Sequence, residues 1–218
     1  MASRGNWTEP RRPRLYLMTP PVADPAGMRE TLAAALGAAD VAAVLLRLAA
    51  ADERTRISRA KALAPVVQDR GSALLLGGLP EIAVRAGADG AHLTGVDAFE
   101  AALATLKPAR IAGCGGLATR HDAMLVAEAG ADYVMFGEPD EHRRRPSFGA
   151  VVGRVAWWAE VFEVPCVGFA GSLEEVEPLA AAGAEFVAVG AWIFEHARGP
   201  AAAIAEAAGH LVPAEAAG

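Results

Sequence analysis

The sequence is poor in aromatic residues and in basic residues. Aromatic side chains make up 6% of the 218 residues, so the apolar 53% consists mostly of Ala, Val and Leu. This composition is typical of helices that pack on a parallel sheet. Lys and Arg number 20 against 26 Asp and Glu, which gives a net charge of -6. Because nucleic-acid binding needs a clustered basic face, we expect no nucleic-acid partner.

Cysteine and long apolar runs are also scarce. The two cysteines, Cys114 and Cys166, fall in predicted strands, and no CxxC or Cys/His spacing surrounds them, so we expect neither a disulfide nor a zinc site. No stretch of about 18 apolar residues is free of charge or Gly, and the start lacks the apolar segment of a signal peptide. We therefore expect no membrane partner and a cytoplasmic location.

The length of the chain fits a single domain, since small α/β barrels run to roughly 200 to 250 residues. Residues 1–13 are polar and contain Pro10 and Pro13, so we expect a disordered N-terminal tail. The folded domain is predicted to span residues 14–210, and residues 211–218 are predicted to form a C-terminal tail.

One phrase recurs along the chain: a helix end, a Gly, an acidic residue and then an apolar run. A Gly can take the left-handed conformation that closes a helix, where a side chain would be strained. An apolar run of this kind predicts a strand that is buried on both faces, as parallel strands are. The four copies are LGAADVAAVLL at 36–46, AGADGAHL at 86–93, AGADYVMFG at 129–137 and AGAEFVAVG at 182–190.

The spacing between these copies leaves room for one further strand, so the sequence predicts eight strands that alternate with helices. Such an array closes most naturally into a single (β/α)8 TIM barrel. The alternative is an open doubly wound sheet, which is disfavoured because no GxGxxG follows the first strand. Helices are expected over 97–106, 121–129 and 173–182. The predicted strands are 15–18, 41–46, 73–76, 90–93, 110–113, 133–136, 166–169 and 186–189.

The loops after the strands build the functional site in such barrels. FAGS at 169–172 and VGA at 189–191 follow the predicted seventh and eighth strands, where bare backbone N–H groups can face an anion. We predict that Gly171, Ser172, Gly190 and Ala191 bind a phosphate group. The alternative is that Ser172 only caps the next helix, in a capping box with Glu175.

Charged and imidazole side chains also follow the predicted strands. Arg47 ends an apolar strand and is expected to enter the barrel mouth, where it needs a ligand oxyanion or a carboxylate such as Asp97 or Glu138. His121 begins the fifth helix, whose N-terminus disfavours the protonated imidazole and so suits a general base. The alternative for His121 is a solvated first-turn residue. His92, inside a strand, is predicted to be a core histidine.

Two further segments carry alternatives. The polar loop 138–148 is expected either to close over an anionic substrate through arginines such as Arg145, or to be a solvent-exposed run of charge. Trp157 and Trp158 are expected to pack on an outer helix or to form a contact in a homodimer.

In these phrases the chain resembles the thiamine phosphate synthase and thiazole tautomerase superfamily, across residues 14–195. The resemblance implies a barrel that binds a small phosphorylated molecule. The phrases that carry it are LLRL, GADGAHLTGVD, GADYVMFGEP, PCVGFAG and GAEFVAVGAWIF.

Synthases of this family use Mg2+ to join hydroxymethylpyrimidine diphosphate to thiazole phosphate. Loss of pyrophosphate gives a pyrimidine cation, which the thiazole nitrogen captures. The resemblance implies that Arg47 is the family's strand-two arginine and that Asp97 is the second of its two Mg2+-binding aspartates. It also implies that Gly171 is one Gly of the phosphate-binding pair, and that Arg145 lies near the family's lysine after strand six.

The chain departs from the family pattern at several of these positions. Leu45 stands where the family has a Gln and Ala49 where it has a Lys, both substrate contacts. Gly77 and Gly78 replace the Asn-Asp pair that supplies the first metal ligand. A single carboxylate is a poor Mg2+ diphosphate site. After strand five, the family's Ser and His fall on Gly115 and Leu117.

Three functions remain open on the sequence. The first is a divergent thiamine phosphate synthase, a transferase of thiamine biosynthesis. The second is a thiazole tautomerase-like isomerase with His121 as the base, which needs only a phosphate cradle and a proton acceptor. The third is a non-catalytic or regulatory barrel that keeps the phosphate site.

Overall fold

The computed structural model describes residues 12–140, 142 and 144–211. The first strand begins at Arg14 and the last helix ends at Gly209. Most of the two predicted tails, residues 1–11 and 212–218, lies outside the described residues.

Strands and helices alternate along the described chain. The strands are β1 (Arg14–Met18), β2 (Val41–Leu46), β3 (Ala73–Gly77), β4 (Gly90–Thr94), β5 (Ile111–Gly115), β6 (Tyr133–Phe136), β7 (Cys166–Ala170) and β8 (Phe186–Val189). The helices are α1 (Pro25–Ala38), α2 (Glu53–Gln68), α3 (Pro80–Ala86), α4 (Val96–Leu106), α5 (Arg120–Glu128), α6 (Phe148–Val161), α7 (Val176–Ala181), α8 (Ala191–Phe194) and α9 (Pro200–Gly209).

The strands form a closed parallel barrel in sequence order. β1 pairs with β2 on one side and with β8 on the other, with Leu15 beside Val187. The predicted (β/α)8 barrel is confirmed. The open doubly wound sheet is wrong, because an open sheet would leave β1 and β8 as separate edges.

Alternating side chains of each strand divide the core into two layers. Leu15 and Leu17 of β1 point outward into the large cluster beneath the helices. Tyr16 and Met18 point inward and join the smaller cluster that fills the barrel. The other large side chains that fill the barrel interior are those of Leu45, Leu75, Tyr133, Met135, Val167 and Phe169.

The repeated phrase behaves as predicted in three of its four copies. Gly87, Gly130 and Gly183 have φ angles of 75°, 100° and 97°, in the left-handed region. The first copy differs, because α1 continues through Gly37 to Ala38 and ends without a left-handed residue.

The acidic residue of the phrase has a structural role that the sequence did not reveal. In three copies its carboxylate accepts a hydrogen bond from a backbone amide in the strand that precedes it. We call these contacts the carboxylate–amide bonds. They join Asp89 to Leu74 at 2.7 Å, Asp132 to Ala112 at 2.7 Å and Glu185 to Cys166 at 2.8 Å. In the first copy, Asp40 instead pairs with the Arg14 side chain at 2.7 Å.

The predicted helix over 173–182 is divided in the structure. A 3-10 turn covers Leu173–Glu175, and α7 follows from Val176. The Ser172 side chain makes no cap hydrogen bond. The capping box between Ser172 and Glu175 is therefore wrong, since the Glu175 carboxylate is bonded to Gly171 and Arg145 instead.

Trp158 packs within the outer layer, as one alternative predicted. It is fully buried, stacks on Phe162 at 4.1 Å and donates its indole N–H to the Val164 carbonyl at 2.7 Å. The half-buried Trp157 packs beside it under the Arg120 guanidinium. Among the described helices, none combines the length and the apolar character needed to cross a bilayer.

Candidate functional site

The barrel mouth is the end at which the parallel strands finish. Since every strand runs in the same direction, the residues that follow β2, β6, β7 and β8 meet there. They include Arg47, Glu138, Gly171 and Gly190, which come directly or nearly directly after their strands.

Arg47 is half-buried at this mouth. Its Nε donates to the Thr19 carbonyl at 2.6 Å, and its backbone N–H donates to the Thr19 hydroxyl at 3.1 Å. Its side chain passes along Gly77, where a Cβ would lie 3.5 Å from Arg47 Cγ. Burial lowers the pKa of Arg47 from its usual value, although a guanidinium stays charged.

Arg47 forms no ion pair within the described residues, so the predicted carboxylate partners Asp97 and Glu138 are both wrong. The structure leaves a cation at the mouth with one edge tied to a carbonyl. Such a group is suited to a ligand oxyanion, because the charge has already lost part of its hydration.

The loops after β7 and β8 lie side by side, as the phosphate prediction requires. Ala170 pairs with Val189, so Gly171 and Gly190 follow neighbouring positions. The Trp192 indole N–H donates to the Ala170 carbonyl at 3.1 Å and ties the two loops together. Gly190 directly precedes the short helix α8, whose first residue is Ala191.

The cradle at Gly171 holds a carboxylate of the protein itself. The Gly171 amide donates to Glu175 at 2.7 Å, and Arg145 donates to both oxygens of Glu175 at 2.6 and 2.7 Å. A Cβ at Gly171 would collide with the Arg145 guanidinium. Arg145 also lies 5.8 Å from the Phe169 ring centroid. The structure thus brings Gly171 and Arg145 together around an internal anion, the Glu175 carboxylate.

Ser172 directly follows Gly171 in this cradle. Its hydroxyl is the main cause that lowers the pKa of Glu174. Gly171, Ser172, Gly190 and Ala191 remain predicted phosphate contacts.

A second buried carboxylate enters the mouth from the loop after β6. The Glu138 side chain is 10% exposed, and neither of its oxygens has a hydrogen-bond partner. His92 Nε2 lies 3.5 Å away, too far for a good hydrogen bond. Gly115 makes this position possible, because a Cβ there would collide with the Glu138 carboxylate.

Below Glu138, a chain of hydrogen bonds runs down the barrel interior. His92 Nδ1 bonds to the Tyr133 hydroxyl at 2.9 Å, and the Tyr133 and Tyr16 hydroxyls bond to each other at 2.8 Å. His92 is 4% exposed, which confirms it as a core histidine. Burial raises the pKa of both tyrosines. Burial also raises the pKa of the Cys114 thiol to about 12, with the Glu138 charge as the next cause.

The sequence placed Glu138 at the barrel mouth only as a possible carboxylate partner of Arg47, and not as a group that binds a ligand. Its burial depends on Gly115 and His92, which lie on other strands and far away in sequence. The signal that was present is its position two residues after β6, next to a strand, β5, that ends at Gly115 and is followed by Gly116.

His121 and Asp97 lie apart from these groups. His121 is exposed on the first turn of α5 and makes no hydrogen bond or ion pair among the described residues. Asp97 is exposed on the first turn of α4 and lines a shallow pocket with Asp122. Asp122 is committed to the α5 capping box, where hydrogen bonds from Thr119 lower its pKa.

These carboxylates do not by themselves form a metal site. No group of three or more His, Cys, Asp or Glu in the described part of the chain is placed to hold an ion. Gly77 and Gly78, at the positions of the family's first metal ligand, bring no side-chain oxygen.

Comparison with known proteins gives one consistent result. Residues 15–193 match the family model described as thiamine monophosphate synthase. The chain is 41% identical to the thiamine-phosphate synthase of Rhodospirillum centenum over 196 residues, which cover 88% of this chain and 95% of the relative. It is 35% identical to the thiamine-phosphate synthase of Hyphomonas neptunium, over 90% and 93% of the two chains.

A solved structure agrees on the fold. The thiamine phosphate pyrophosphorylase of Pyrococcus furiosus superimposes with a TM-score of 0.76 over 92% of this chain and 96% of that one. The two sequences are 19% identical, so this likeness concerns the architecture alone.

Proposed function

Because the chain belongs to the thiamine monophosphate synthase family, we propose that it couples hydroxymethylpyrimidine diphosphate with thiazole phosphate in thiamine biosynthesis. The main support for this proposal is the 41% identity to the thiamine-phosphate synthase of Rhodospirillum centenum, over 95% of that relative's length. The protein is a transferase in this proposal, and both substrates are small phosphorylated molecules.

The reaction does not require acid–base catalysis by side chains. The C–O bond between the pyrimidine methylene carbon and the diphosphate breaks, and the electron pair leaves with pyrophosphate. The thiazole nitrogen then donates its lone pair to the resulting cation and forms the C–N bond. No proton has to be removed. A general base is therefore not needed, and catalysis depends on charge stabilisation and positioning.

Arg47 suits the leaving diphosphate in this scheme. It is a half-buried cation without a carboxylate partner, and negative charge grows on the departing oxygen as the bond breaks. Gly171 and Gly190, with Arg145, suit the phosphate of the thiazole. That phosphate would take the Gly171 amide and the Arg145 guanidinium from Glu175.

Magnesium fits this chain less well than it fits the family pattern. A bound Mg2+ would supply charge neutralisation at the diphosphate, and Asp97 is the one carboxylate that the pattern offers for it. Gly77 and Gly78 provide no second ligand, so the residues present do not form the family's two-carboxylate site. We assign no step to the metal.

The isomerase alternative is less well supported. It needs a base beside the phosphate cradle, and His121 is solvent-exposed on α5. We expect His121→Ala to form thiamine phosphate at the wild-type rate.

The test is synthesis by the purified protein from both substrates, with and without added Mg2+, with thiamine phosphate measured by fluorescence after oxidation. We expect product from the wild type, and a loss of about 2 to 4 kcal/mol of transition-state stabilisation, roughly 30- to 1,000-fold in kcat/KM, in Arg47→Ala. Arg70→Ala is the matched control, since Arg70 is exposed ahead of β3 at the opposite end of the barrel. No product above background at high enzyme concentration would contradict the proposed reaction.

A further inference from the structure

Glu138 is a buried carboxylate that makes no hydrogen bond with any described residue. Both of its oxygens are inaccessible to solvent and unpartnered. Burying an ionised carboxylate in this way is costly, so native structures normally supply hydrogen bonds or a counter-charge. His92, the nearest candidate, lies at 3.5 Å and does not complete a hydrogen bond.

The surroundings of Glu138 are built to keep it in place. Gly115 ends β5 without a side chain, and the Glu138 carboxylate fills the space that a Cβ would occupy. His92 is fixed from behind by Tyr133, and Tyr133 by Tyr16. This arrangement holds the carboxylate at the mouth, and no described residue donates a hydrogen bond to it, so the carboxylate can accept one from a ligand.

The opposite side of the mouth carries the opposite charge. β2 and β6 lie four places apart in a closed ring of eight strands, so Arg47 and Glu138 follow strands on opposite sides of the barrel. Among the described residues, Arg47 has no carboxylate partner, and the one ion-pair contact of Glu138 is with His92 at 3.5 Å. The site is complementary to a ligand with an anionic end and a hydrogen-bond-donating, weakly basic end.

We propose that Glu138 binds the aminopyrimidine ring of the diphosphate substrate through the exocyclic amino group and stabilises the positive charge that forms on this ring. This inference rests on the proposed function. Leu45 occupies the position at which the family pattern has a Gln as a substrate contact, so the contact missing from β2 is supplied from the loop after β6. Glu138 gains and loses no proton in the reaction.

The timing of the charge supports a catalytic role. Heterolysis of the C–O bond sends the electron pair to pyrophosphate and leaves the cation on the pyrimidine. A fixed carboxylate in a water-poor site interacts more strongly with this cation than with the neutral ring, so it lowers the barrier rather than only tightening binding.

The experiment compares the wild type with Glu138→Gln, which keeps the shape and removes the charge. Calorimetry measures the affinity of each protein for 4-amino-5-hydroxymethyl-2-methylpyrimidine and for its 4-oxo counterpart, both free of phosphate. We expect the wild type to prefer the amino compound by about tenfold or more, and Glu138→Gln to lose the preference. Glu163→Gln is the control, because Glu163 is exposed ahead of β7 at the other end of the barrel.

Steady-state kinetics of the same proteins separate catalysis from folding. In Glu138→Gln, kcat is expected to fall by about 30-fold or more, with the KM for thiazole phosphate unchanged. The thermal midpoint of this variant should equal or exceed that of the wild type, since the change replaces a buried carboxylate that no described residue bonds. A lower midpoint with unchanged kcat and unchanged ligand preference would assign Glu138 a structural role and overturn the proposal.

The two proposals fail separately. Equal affinity of the wild type for the two pyrimidines, binding of neither, or an unchanged preference in Glu138→Gln overturns the role of Glu138 whether or not thiamine phosphate is made. A preference that depends on Glu138 in a protein that makes no thiamine phosphate overturns the proposed reaction and leaves the binding role standing.

Discussion

At the scale of single residues, the charged side chains at the barrel mouth make contacts that the sequence did not predict. Arg47 was expected to meet a ligand oxyanion or a carboxylate, and its Nε donates to a backbone carbonyl. Arg145 was expected either to close over an anionic substrate or to be exposed to solvent, and it is paired with Glu175. Glu175 is 19% exposed and accepts hydrogen bonds from Arg145 and Gly171, so it would compete for these donors with the phosphate in the proposed function.

This competition gives a prediction for Glu175→Gln. Without the negative charge, Arg145 and the Gly171 amide are available to the ligand, and the KM for thiazole phosphate should fall by roughly threefold to tenfold. Loss of the ion pair should lower the free energy of unfolding by about 1 to 3 kcal/mol. Kinetics and thermal unfolding measure both effects. Glu174→Gln, a change at the exposed neighbouring residue, serves as the control, and an unchanged or higher KM in Glu175→Gln would show that no competition exists.

At the scale of secondary structure, the carboxylate–amide bonds join each repeated phrase to the strand before it. Asp89, Asp132 and Glu185 stand just ahead of β4, β6 and β8, and they fix the beginnings of β3, β5 and β7. These bonds lie at the end of the barrel opposite the mouth. This is the end at which polar residues serve stability rather than chemistry.

We predict that Asp89→Ala destabilises the barrel without affecting catalysis. The Leu74 amide loses its acceptor and Gln68 Nε2 keeps only the Gly87 carbonyl, at a cost of about 1 to 3 kcal/mol, and the thermal midpoint should fall by roughly 2 to 4 °C for each kcal/mol. Calorimetry tests the expected loss of stability, and kcat/KM tests the expected absence of an effect on catalysis. Asp69→Ala, at an exposed position after α2, should change neither. A fall in kcat/KM of Asp89→Ala at a temperature where the variant is fully folded would show that Asp89 also affects catalysis, and would contradict the prediction.

At the scale of the whole molecule, several carboxyl groups share one direction of pKa shift. Hydrogen bonds in the folded state, the largest cause in every case, lower their pKa below the unfolded value. These groups are Asp40, Asp52, Asp122, Asp140 and Glu174.

The sign of this shift predicts acid-labile stability. A lowered folded-state pKa contributes stability above the unfolded pKa of about 4, and the contribution is lost as the pH falls through the folded-state values. The thermal midpoint should therefore be nearly flat from pH 7 to about 5 and fall below about 4. Scanning calorimetry across this range tests the prediction, and a midpoint that rises on acidification would oppose it. Asp40→Asn should flatten part of the acid limb, since it removes the ion pair with Arg14.

Much of the architecture could be predicted from the sequence, because parallel strands are continuous apolar runs. The bounds of β2, β6 and β8 agree with the predicted ranges. Each of these strands is the apolar run within a copy of the repeated phrase. The prediction was wrong where local pattern competed with a distant partner. The helix expected over 173–182 was divided at Glu175, whose side chain is held by Arg145, thirty residues away in the chain.

The site could be predicted only in part. Arg47 and the Gly171 and Gly190 loops follow from strand ends alone. The position of Glu138 at the mouth also follows from a strand end, but its burial does not, because it depends on Gly115 of the preceding strand, β5. Pairings between elements, such as Glu175 with Arg145, leave no periodic trace in a single sequence.

The carboxylate–amide bonds also divide the barrel into quarters. Each bond links the two strands of one quarter: β3 with β4, β5 with β6, and β7 with β8. The ion pair of Asp40 with Arg14 links β1 with β2 in the same way. New chain termini placed between α2 and β3 would leave every quarter contiguous. Termini between α3 and β4 would turn a link that spans fifteen residues into one that spans nearly the whole polypeptide. Circular permutants should therefore fold more readily when opened at the boundaries of quarters than within them.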